Sequence, residues 1–429
     1  MKIKLLYAFI IGALLYACSD DDNNTGYSLI SEMNADSITF VTNVENPEYE
    51  AIVLVFTNLT TKEQTTVDYG EPFSLLGGIY DVEVSATGSA NGVACTFYGT
   101  ATSVVIANSQ PSFVVKLYMR DETTSDFLIE EIFFTGTLYP SGAQYHGDNY
   151  VKLYNNTDHT LYADGIALVE SKFTSTQKFD YTPDIREDTM TVQALYVVPG
   201  SGTEHPVEPG HSFILCDIGI DHRATNENSF DLSSADYEWY DVSTHASTTD
   251  IDSEIVPNLD KWYCYTESIW ILHNRGFKSY ALVRMPAGLT KEDYLRDYYY
   301  SYSYVISVAA GDFPMTQSSY KIPNAWIVDG VNCSVETDRQ WDILPPSIDA
   351  GWTHCGYSDK DQSRYFKSVR RKMIALDENG NRILQDTNNS TNDFNTECVP
   401  SLAEEQHTAI DVDGTLATTI TYDGVTVKE

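Results

Sequence analysis

The chain has 429 residues, of which 42% are hydrophobic and 12% aromatic, and its 26 basic against 62 acidic side chains give a formal net charge of -36. This composition is too apolar for a disordered chain, and the length is enough for roughly two or three domains that each bury a core. The charge excludes an electrostatic nucleic-acid partner, because phosphate binding needs a surplus of lysine and arginine.

Residues 1–17 have the pattern of a bacterial signal peptide. Lys2 and Lys4 give a positive start, and the apolar run that follows is too short to remain as a membrane-spanning helix. The run ends in the letters LLYAC, which resemble a lipobox, the signal for acylation of a cysteine. The resemblance implies that Cys18 is lipidated and becomes the first mature residue. An unlipidated cysteine near an ordinary cleavage site is the alternative.

Residues 18–36 are predicted to form an acidic tether. The letters SDDDNN after Cys18 contain no core-forming side chain, which is typical of a solvated linker. They resemble the acidic export signal of Bacteroidetes surface lipoproteins. That resemblance implies an outer-membrane protein, anchored in the lipid through Cys18 and facing the extracellular side. A plain linker would imply only the periplasmic face.

Residues 37–122 are predicted to form an N-terminal β-sandwich. Tyr80, Val82, Val84 and Ala86 alternate with polar residues, as in a strand with one wet face. The stretch GGIYDVEVSA resembles the transthyretin-like, immunoglobulin-like modules of bacterial surface proteins, which implies a structural role. The polar run from Arg120 to Ser125 predicts a domain boundary.

Residues 127–400 are predicted to form a second β-sandwich, followed by a C-terminal β tail at 401–429. Asn379-Gly380 between two apolar runs predicts a hairpin, because both residue types tolerate a positive φ. The pieces EIFFTG, YVKLYNNTD, EPGHSFIL and DTNNSTNDF resemble the lamin-tail domain, an immunoglobulin-like sandwich. The resemblance implies that Phe394 lies in the core. The pieces are widely separated, which predicts a large insertion at about 173–325.

Six cysteines follow the lipobox, and their pairing stays open between disulfides and free buried thiols. Their spacing contains no C-x-x-C, which argues against a zinc cluster. They are Cys95, Cys216, Cys264, Cys333, Cys355 and Cys398.

No catalytic motif is present, and no metal site is predicted. His205, His211 and His222 form the densest histidine group and stand among acidic residues, but loops that feed a strand explain them better. Residues 377–388 begin like a calcium loop, yet Arg382 and Asn388 stand where the motif needs Gly and Glu. No cofactor is therefore expected, although a surface this acidic can attract adventitious calcium.

The most unusual segment is the tyrosine run that begins at residue 298. Tyr298, Tyr300, Tyr302 and Tyr304 would share one face of an extended strand, where they could bind a protein or stack on sugars. The alternative is packing of these rings across strands within a sheet.

The sequence as a whole resembles an uncharacterised family of Bacteroidetes surface lipoproteins with a lamin-tail-like domain. We expect a non-catalytic binding or accessory component of the outer membrane that stands beside a TonB-dependent β-barrel transporter. A glycan-binding surface module and a hydrolase with a site in the insertion are the two alternatives. The oligomeric state is left open.

Overall fold

The computed structural model describes residues 30–33, 37–42, 47–90, 93–107, 112–121, 126–266, 268–377, 379–407, 419–421 and 423–428. The predicted signal peptide, Cys18 and most of the tether lie outside these residues. The described chain is mainly β, as expected. None of its helices is both long and apolar enough to cross a membrane.

The described part of the N-terminal region contains eight strands. They are β1 (Ile30–Met33), β2 (Ile38–Thr42), β3 (Pro47–Asn58), β4 (Gln64–Asp68), β5 (Phe73–Leu76), β6 (Gly78–Ala90), β7 (Val93–Ile106) and β8 (Phe113–Asp121). Six of them form a sheet in the order β2-β8-β7-β6-β3-β4, in which only the β2–β8 pair is parallel. The small β1–β5 sheet contributes Met33 and Leu75 to the same apolar core.

The predicted alternation in β6 is confirmed. Tyr80, Val82, Val84 and Ala86 are all buried, and Glu83 between them is exposed. The predicted tether is too long, because its residues Ile30–Met33 form β1 and pair with β5. Apolar side chains at the end of the tether explain the difference, since Met33 is buried in the core.

The rest of the chain contains nineteen strands and three short α-helices among the described residues. The strands are β9 (Leu128–Phe133), β10 (Tyr150–Tyr154), β11 (Leu161–Tyr162), β12 (Ile166–Ser171), β13 (Thr189–Val197), β14 (Pro206–Val207), β15 (Ser212–Cys216), β16 (Tyr237–Glu238), β17 (Asp260–Cys264), β18 (Ser279–Arg284), β19 (Tyr299–Val308), β20 (Gly311–Pro323), β21 (Ile327–Asn332), β22 (Ser368–Arg371), β23 (Met373–Leu376), β24 (Arg382–Leu384), β25 (Phe394–Cys398), β26 (Thr419–Ile420) and β27 (Thr426–Val427). The α-helices are α1 (Lys291–Asp297), α2 (Ser390–Asp393) and α3 (Ser401–Glu405), and single 3-10 turns cover His222–Ala224, Asn324–Trp326 and Gln362–Arg364.

Two large sheets form the second sandwich. One has the order β16-β15-β10-β9-β22-β25-β27-β26, and the other has the order β19-β20-β13-β12-β18-β21 with β17 also paired to β13. Side chains of both sheets, including Ile132, Val151, Leu168 and Leu282, meet in one buried core. The sandwich is held together because each sheet buries an apolar face against the other.

The predicted insertion at about 173–325 is built into this sandwich. It supplies β13, β17, β18, β19 and β20 to the second sheet, and β15 and β16 to the first. Apart from β15, which overlaps the piece EPGHSFIL, these strands are not placed in the sandwich by the sequence, because strands that pair with distant partners carry no local signal of their register. The segment 401–429 also differs from the predicted β tail. It starts with the helix α3, and its strands β26 and β27 extend the first sheet of the sandwich.

Two local predictions near the C-terminal end are confirmed. Met373–Leu376 and Arg382–Leu384 pair as an antiparallel hairpin, and Gly380 in its turn has a φ of 84°. Phe394 is 3% exposed and packs in the core between the sheets. All six cysteines after the lipobox are described, and none of them forms a disulfide there.

Candidate binding site

The hairpin of β19 and β20 presents three of the four predicted tyrosines on one face. Adjacent rings along the strand are close, since the Tyr300 and Tyr302 centroids lie 5.5 Å apart and those of Tyr302 and Tyr304 lie 6.2 Å apart. Alternate side chains of a β-strand lie on the same face, and this places the three rings together, as the sequence predicts.

Tyr298 does not join them, and this part of the prediction is wrong. Its backbone N–H donates to the carbonyl of Tyr294 at 3.0 Å and so caps α1 before the strand begins. Its ring stacks on Tyr294 and lies 5.0 Å from Trp326, in the apolar cluster on which α1 packs. The helix cap interrupts the alternation that the tyrosine run implies.

A loop far away in the sequence completes the site. Thr182 and Ser303 exchange two backbone hydrogen bonds of 2.9 Å, which fix this loop to the outer edge of β19. Phe179 then lies 4.7 Å from the ring centroid of Tyr304, and Tyr181 lies 5.7 Å from that of Tyr302.

Phe173 and Trp341 extend the surface at its other end. The Phe173 ring stacks on Tyr181 at 4.0 Å, and the Trp341 centroid lies 6.2 Å from Tyr181. The Trp341 indole N–H donates to the carbonyl of Thr174 at 2.9 Å, which holds its ring beside the loop. We call the seven side chains the aromatic cluster: Phe173, Phe179, Tyr181, Tyr300, Tyr302, Tyr304 and Trp341.

Two grooves flank the aromatic cluster. The Trp341 groove has a volume of about 120 Å³, and its walls include Tyr300, Trp341, Lys178 and Arg186. The Gln317 groove has a volume of about 130 Å³. Its lining residues are Lys172, Phe173, Thr174, Gln177, Phe179, Tyr181, Tyr302, Tyr304 and Gln317. Phe173, Phe179 and Tyr181 therefore form the ridge between the two grooves.

Hydrogen bonds orient the polar groups of the Gln317 groove. Gln317 stands opposite Tyr302 in the hairpin, and its side-chain carbonyl accepts the Tyr302 hydroxyl at 3.0 Å. Its amide N–H₂ donates to the Tyr304 hydroxyl at 3.2 Å. Burial and the nearby Tyr300 raise the pKa of Tyr302 above the ordinary value, so this phenol stays neutral at physiological pH. The groove therefore offers fixed, neutral hydrogen-bonding groups beside apolar ring faces.

Hydrogen bonds to backbone carbonyls occupy Arg186, the arginine of the Trp341 groove. The Arg186 guanidinium donates to the carbonyls of Asp342, Ile343 and Leu344 at 2.7–3.1 Å. Thr191 and Tyr300 share a hydrogen bond between their hydroxyls, and burial raises the pKa of Tyr300 to about 12. Arg186 therefore anchors the wall of this groove.

The histidine group of the sequence analysis is dispersed in the structure. His222 is buried, with one ring nitrogen 2.6 Å from the Tyr145 hydroxyl and the other 2.9 Å from the Ile218 carbonyl oxygen. His211 is exposed and contacts the carbonyl of Pro209. His211 and His222 therefore lie in different surroundings, although they are close in the sequence.

His205 does approach two carboxylates, those of Asp164 and Glu204, with potential ligand atoms within 4.8 Å of one another. The Asp164 carboxylate already accepts backbone N–H groups of Gly202, Glu204 and His205 at 2.9–3.1 Å. Burial would raise the pKa of Asp164, but these hydrogen bonds outweigh it and lower the pKa. Hydrogen bonds between Asp164 and the loop after β13 explain this group, and we assign no metal to it.

A separate cavity of about 530 Å³ lies beside Asp164, between the loop after β13 and the loop before α1. Its arginine, Arg284, is paired with Asp126 and also donates to the carbonyls of Tyr162 and Asp164 at 2.9 and 2.8 Å. Arg284 is therefore committed to holding the fold.

Comparison with known proteins gives one family and one solved structure. Residues 208–401 match the family described as "Protein of unknown function (DUF4876)". A DUF4876 family protein from Bacteroides thetaiotaomicron VPI-5482, known from its crystal structure, is similar at a TM-score of 0.54 and 20% identity. The similarity covers 88% of this chain and 97% of that chain, and at this identity it shows the fold alone. No curated protein matches the chain. The chain is therefore similar to the DUF4876 family over residues 208–401, which is less than half of its length.

Proposed function

We propose that this chain is a non-catalytic surface protein that binds glycans through the aromatic cluster. The observation that carries the proposal is the cluster itself, in which a hairpin, a loop and Trp341 bring seven rings and two grooves to one place. Sugar rings present flat patches of C–H groups that stack on aromatic faces, and their hydroxyls need hydrogen-bonding partners nearby. Tyr304 and Gln317 supply such partners next to the rings, and Tyr302, which is 3% exposed, holds Gln317 through its hydroxyl.

The arrangement favours binding over catalysis. Glycoside hydrolysis needs two carboxyl groups about 5–10 Å apart across the bound sugar. Among the described residues, none that lines the Gln317 groove carries a carboxyl group. In the Trp341 groove, Glu187 is paired with Arg186 and Asp184 is exposed. The hydrolase alternative has no comparable support, because Asp164 beside the larger cavity already accepts backbone N–H groups from the loop after β13.

The proposed location rests on the sequence. The lipobox-like letters before Cys18 and the acidic residues after it support a lipid-anchored protein on the outer face of the outer membrane. A glycan-binding protein there could pass its ligand to a β-barrel transporter, which is the partner that we propose. The closing loop with Phe394 supports a lamin-tail-like sandwich as the scaffold. Metabolic labelling with palmitate should mark the protein and should fail after Cys18→Ala, whereas labelling of that variant would contradict the anchor.

Paired truncation of the cluster tests the binding proposal. We expect Phe179→Ala with Tyr304→Ala to weaken glycan binding by tenfold or more, because two stacking faces are lost. Both rings are only half-buried, so the fold should persist. Binding would be screened on a glycan array and then measured by calorimetry, with thermal unfolding as the check of the fold.

Tyr357→Ala is the matched control, since Tyr357 is 58% exposed and lies outside both grooves. The control should bind like the unmodified protein. An array without any signal from the unmodified protein, or unchanged affinity in the double variant, would contradict the proposal.

A further inference from the structure

We propose that the Gln317 groove selects sugars that carry an anionic group, a carboxylate or a sulfate, and that Lys172 recognises that anion. The inference rests on the proposed glycan-binding function and names its ligand class. It comes from the contrast between the charge of this groove and the charge of the whole chain.

The groove has the opposite charge to the rest of the protein. The chain carries 62 acidic and 26 basic residues. Among the described residues that line the groove, Lys172 is the only charged one. Acidic side chains repel an anionic ligand, so a groove whose lining lacks them repels such a ligand less than an acidic surface does.

Lys172 is held in position by its backbone, and its ammonium group is left for a ligand. Its N–H donates to the carbonyl of Thr191 at 2.8 Å, and its own carbonyl accepts the ammonium of Lys278 at 2.8 Å. The side chain is half-buried, and its Nζ lies 5.4 Å from the ring centroid of Tyr265. Within the described part of the chain, Lys172 forms no ion pair.

The neighbouring cation cannot substitute for Lys172. The Lys278 ammonium donates to the carbonyl of Ser171 at 3.0 Å and to the side-chain oxygen of Gln193 at 2.9 Å, in addition to the Lys172 carbonyl. All three of its donors are thereby used. Burial lowers the pKa of Lys172, which is the response of an ammonium group that has left water without gaining an anion. A carboxylate or sulfate on the sugar would supply that anion.

The groove also fits the neutral part of such a ligand. The Tyr304 ring and the Phe179 ring stand on one side, and the Gln317 amide is fixed between two phenols. A charge-assisted hydrogen bond from Lys172 would add both affinity and direction to stacking that by itself tolerates many sugars. Selection for an acidic sugar is the expected consequence.

Calorimetric titration of the full chain tests the inference with oligogalacturonate, its carboxyl-reduced neutral counterpart and a heparin oligosaccharide as probes. We expect an acidic probe to bind about tenfold more tightly than the neutral one, which corresponds to a single charge-assisted contact. Lys172→Gln should remove that preference, and Lys172→Arg should keep it. Oligogalacturonate carries carboxylates alone and heparin carries both anions, so binding of oligogalacturonate assigns the site to a carboxylate, and binding of heparin without oligogalacturonate assigns it to a sulfate.

Lys178→Gln is the matched control, because Lys178 lines the Trp341 groove instead, and it should keep the preference. Equal binding of neutral and acidic probes by the unmodified protein, or a preference that survives Lys172→Gln, would overturn the inference while leaving the glycan-binding proposal intact. Failure of all three probes, together with an array without signal, would remove both.

Discussion

Replacement of Arg371 with methionine should lower the free energy of unfolding by about 3–5 kcal/mol, the range for a buried ion pair that loses one partner. The Arg371 side chain is 2% exposed and lies 2.6 Å from Asp329 and 3.3 Å from Asp386. Its guanidinium also donates to the carbonyl of Ile129 at 2.8 Å and that of Gln385 at 3.0 Å. Methionine would fill much of the volume but leave these buried acceptors without a donor.

The loss should depend on pH. Burial raises the pKa of Asp329 to about 7 even with Arg371 beside it, and removal of the guanidinium would raise the pKa further. A carboxyl group whose pKa is raised on folding contributes most when it is protonated, so its contribution falls as pH rises through that folded pKa. The Arg371→Met variant should therefore lose more stability at pH 8 than at pH 6.

Urea unfolding at the two pH values measures this effect. Arg296→Met is the control, since its side chain is 63% exposed, and it should unfold like the unmodified protein. Addition of Asp329→Leu to the Arg371 variant should recover part of the loss, because the uncompensated carboxyl group is then gone. A variant as stable as the unmodified protein at pH 8 would contradict this role of Arg371.

Truncation of Phe394 to alanine should cost about 3–5 kcal/mol, the usual range for loss of a buried phenylalanine side chain. Phe394 is 3% exposed between the two large sheets, and the Arg371 guanidinium lies 4.7 Å from its ring centroid. The helix α2 just before it is fixed by Asn389, whose side chain accepts the N–H groups of Thr391 and Asn392. Because the backbone of α2 is fixed, the surrounding core can only partly fill the cavity that the Phe394→Ala truncation leaves.

Denaturant unfolding monitored by fluorescence measures this loss. Phe313→Ala is the matched control, because Phe313 is 50% exposed near the tip of the β19–β20 hairpin, and its loss should change stability little. Equal effects of the two truncations would argue against Phe394 as a core residue.

The sequence predicts those elements whose signal is local. Alternation of Tyr80, Val82 and Val84 was enough to place one face of β6 in the core, and Asn379-Gly380 was enough to place the hairpin of β23 and β24. Both depend on residues close together in the chain. The burial of Phe394 is predicted by the resemblance of the closing loop to the lamin-tail domain.

The candidate site could be predicted only in part. The tyrosine run identifies Tyr300, Tyr302 and Tyr304, but it does not reveal that Tyr298 caps a helix. Phe173, Phe179 and Tyr181 come from a loop that is distant in sequence, and Trp341 comes from another. The close spacing of Phe179 and Tyr181 was the available signal, yet a single sequence does not reveal which strand such a pair will cover.

Hydrogen exchange of the full chain with and without oligogalacturonate shows whether the aromatic cluster is the binding site. We expect slower exchange of backbone amides in residues 172–182 and in the facing parts of β19 and β20, and little change around Asp164 and Trp262. Protection confined to the cavity beside Asp164, or no protection at saturating oligosaccharide, would contradict it.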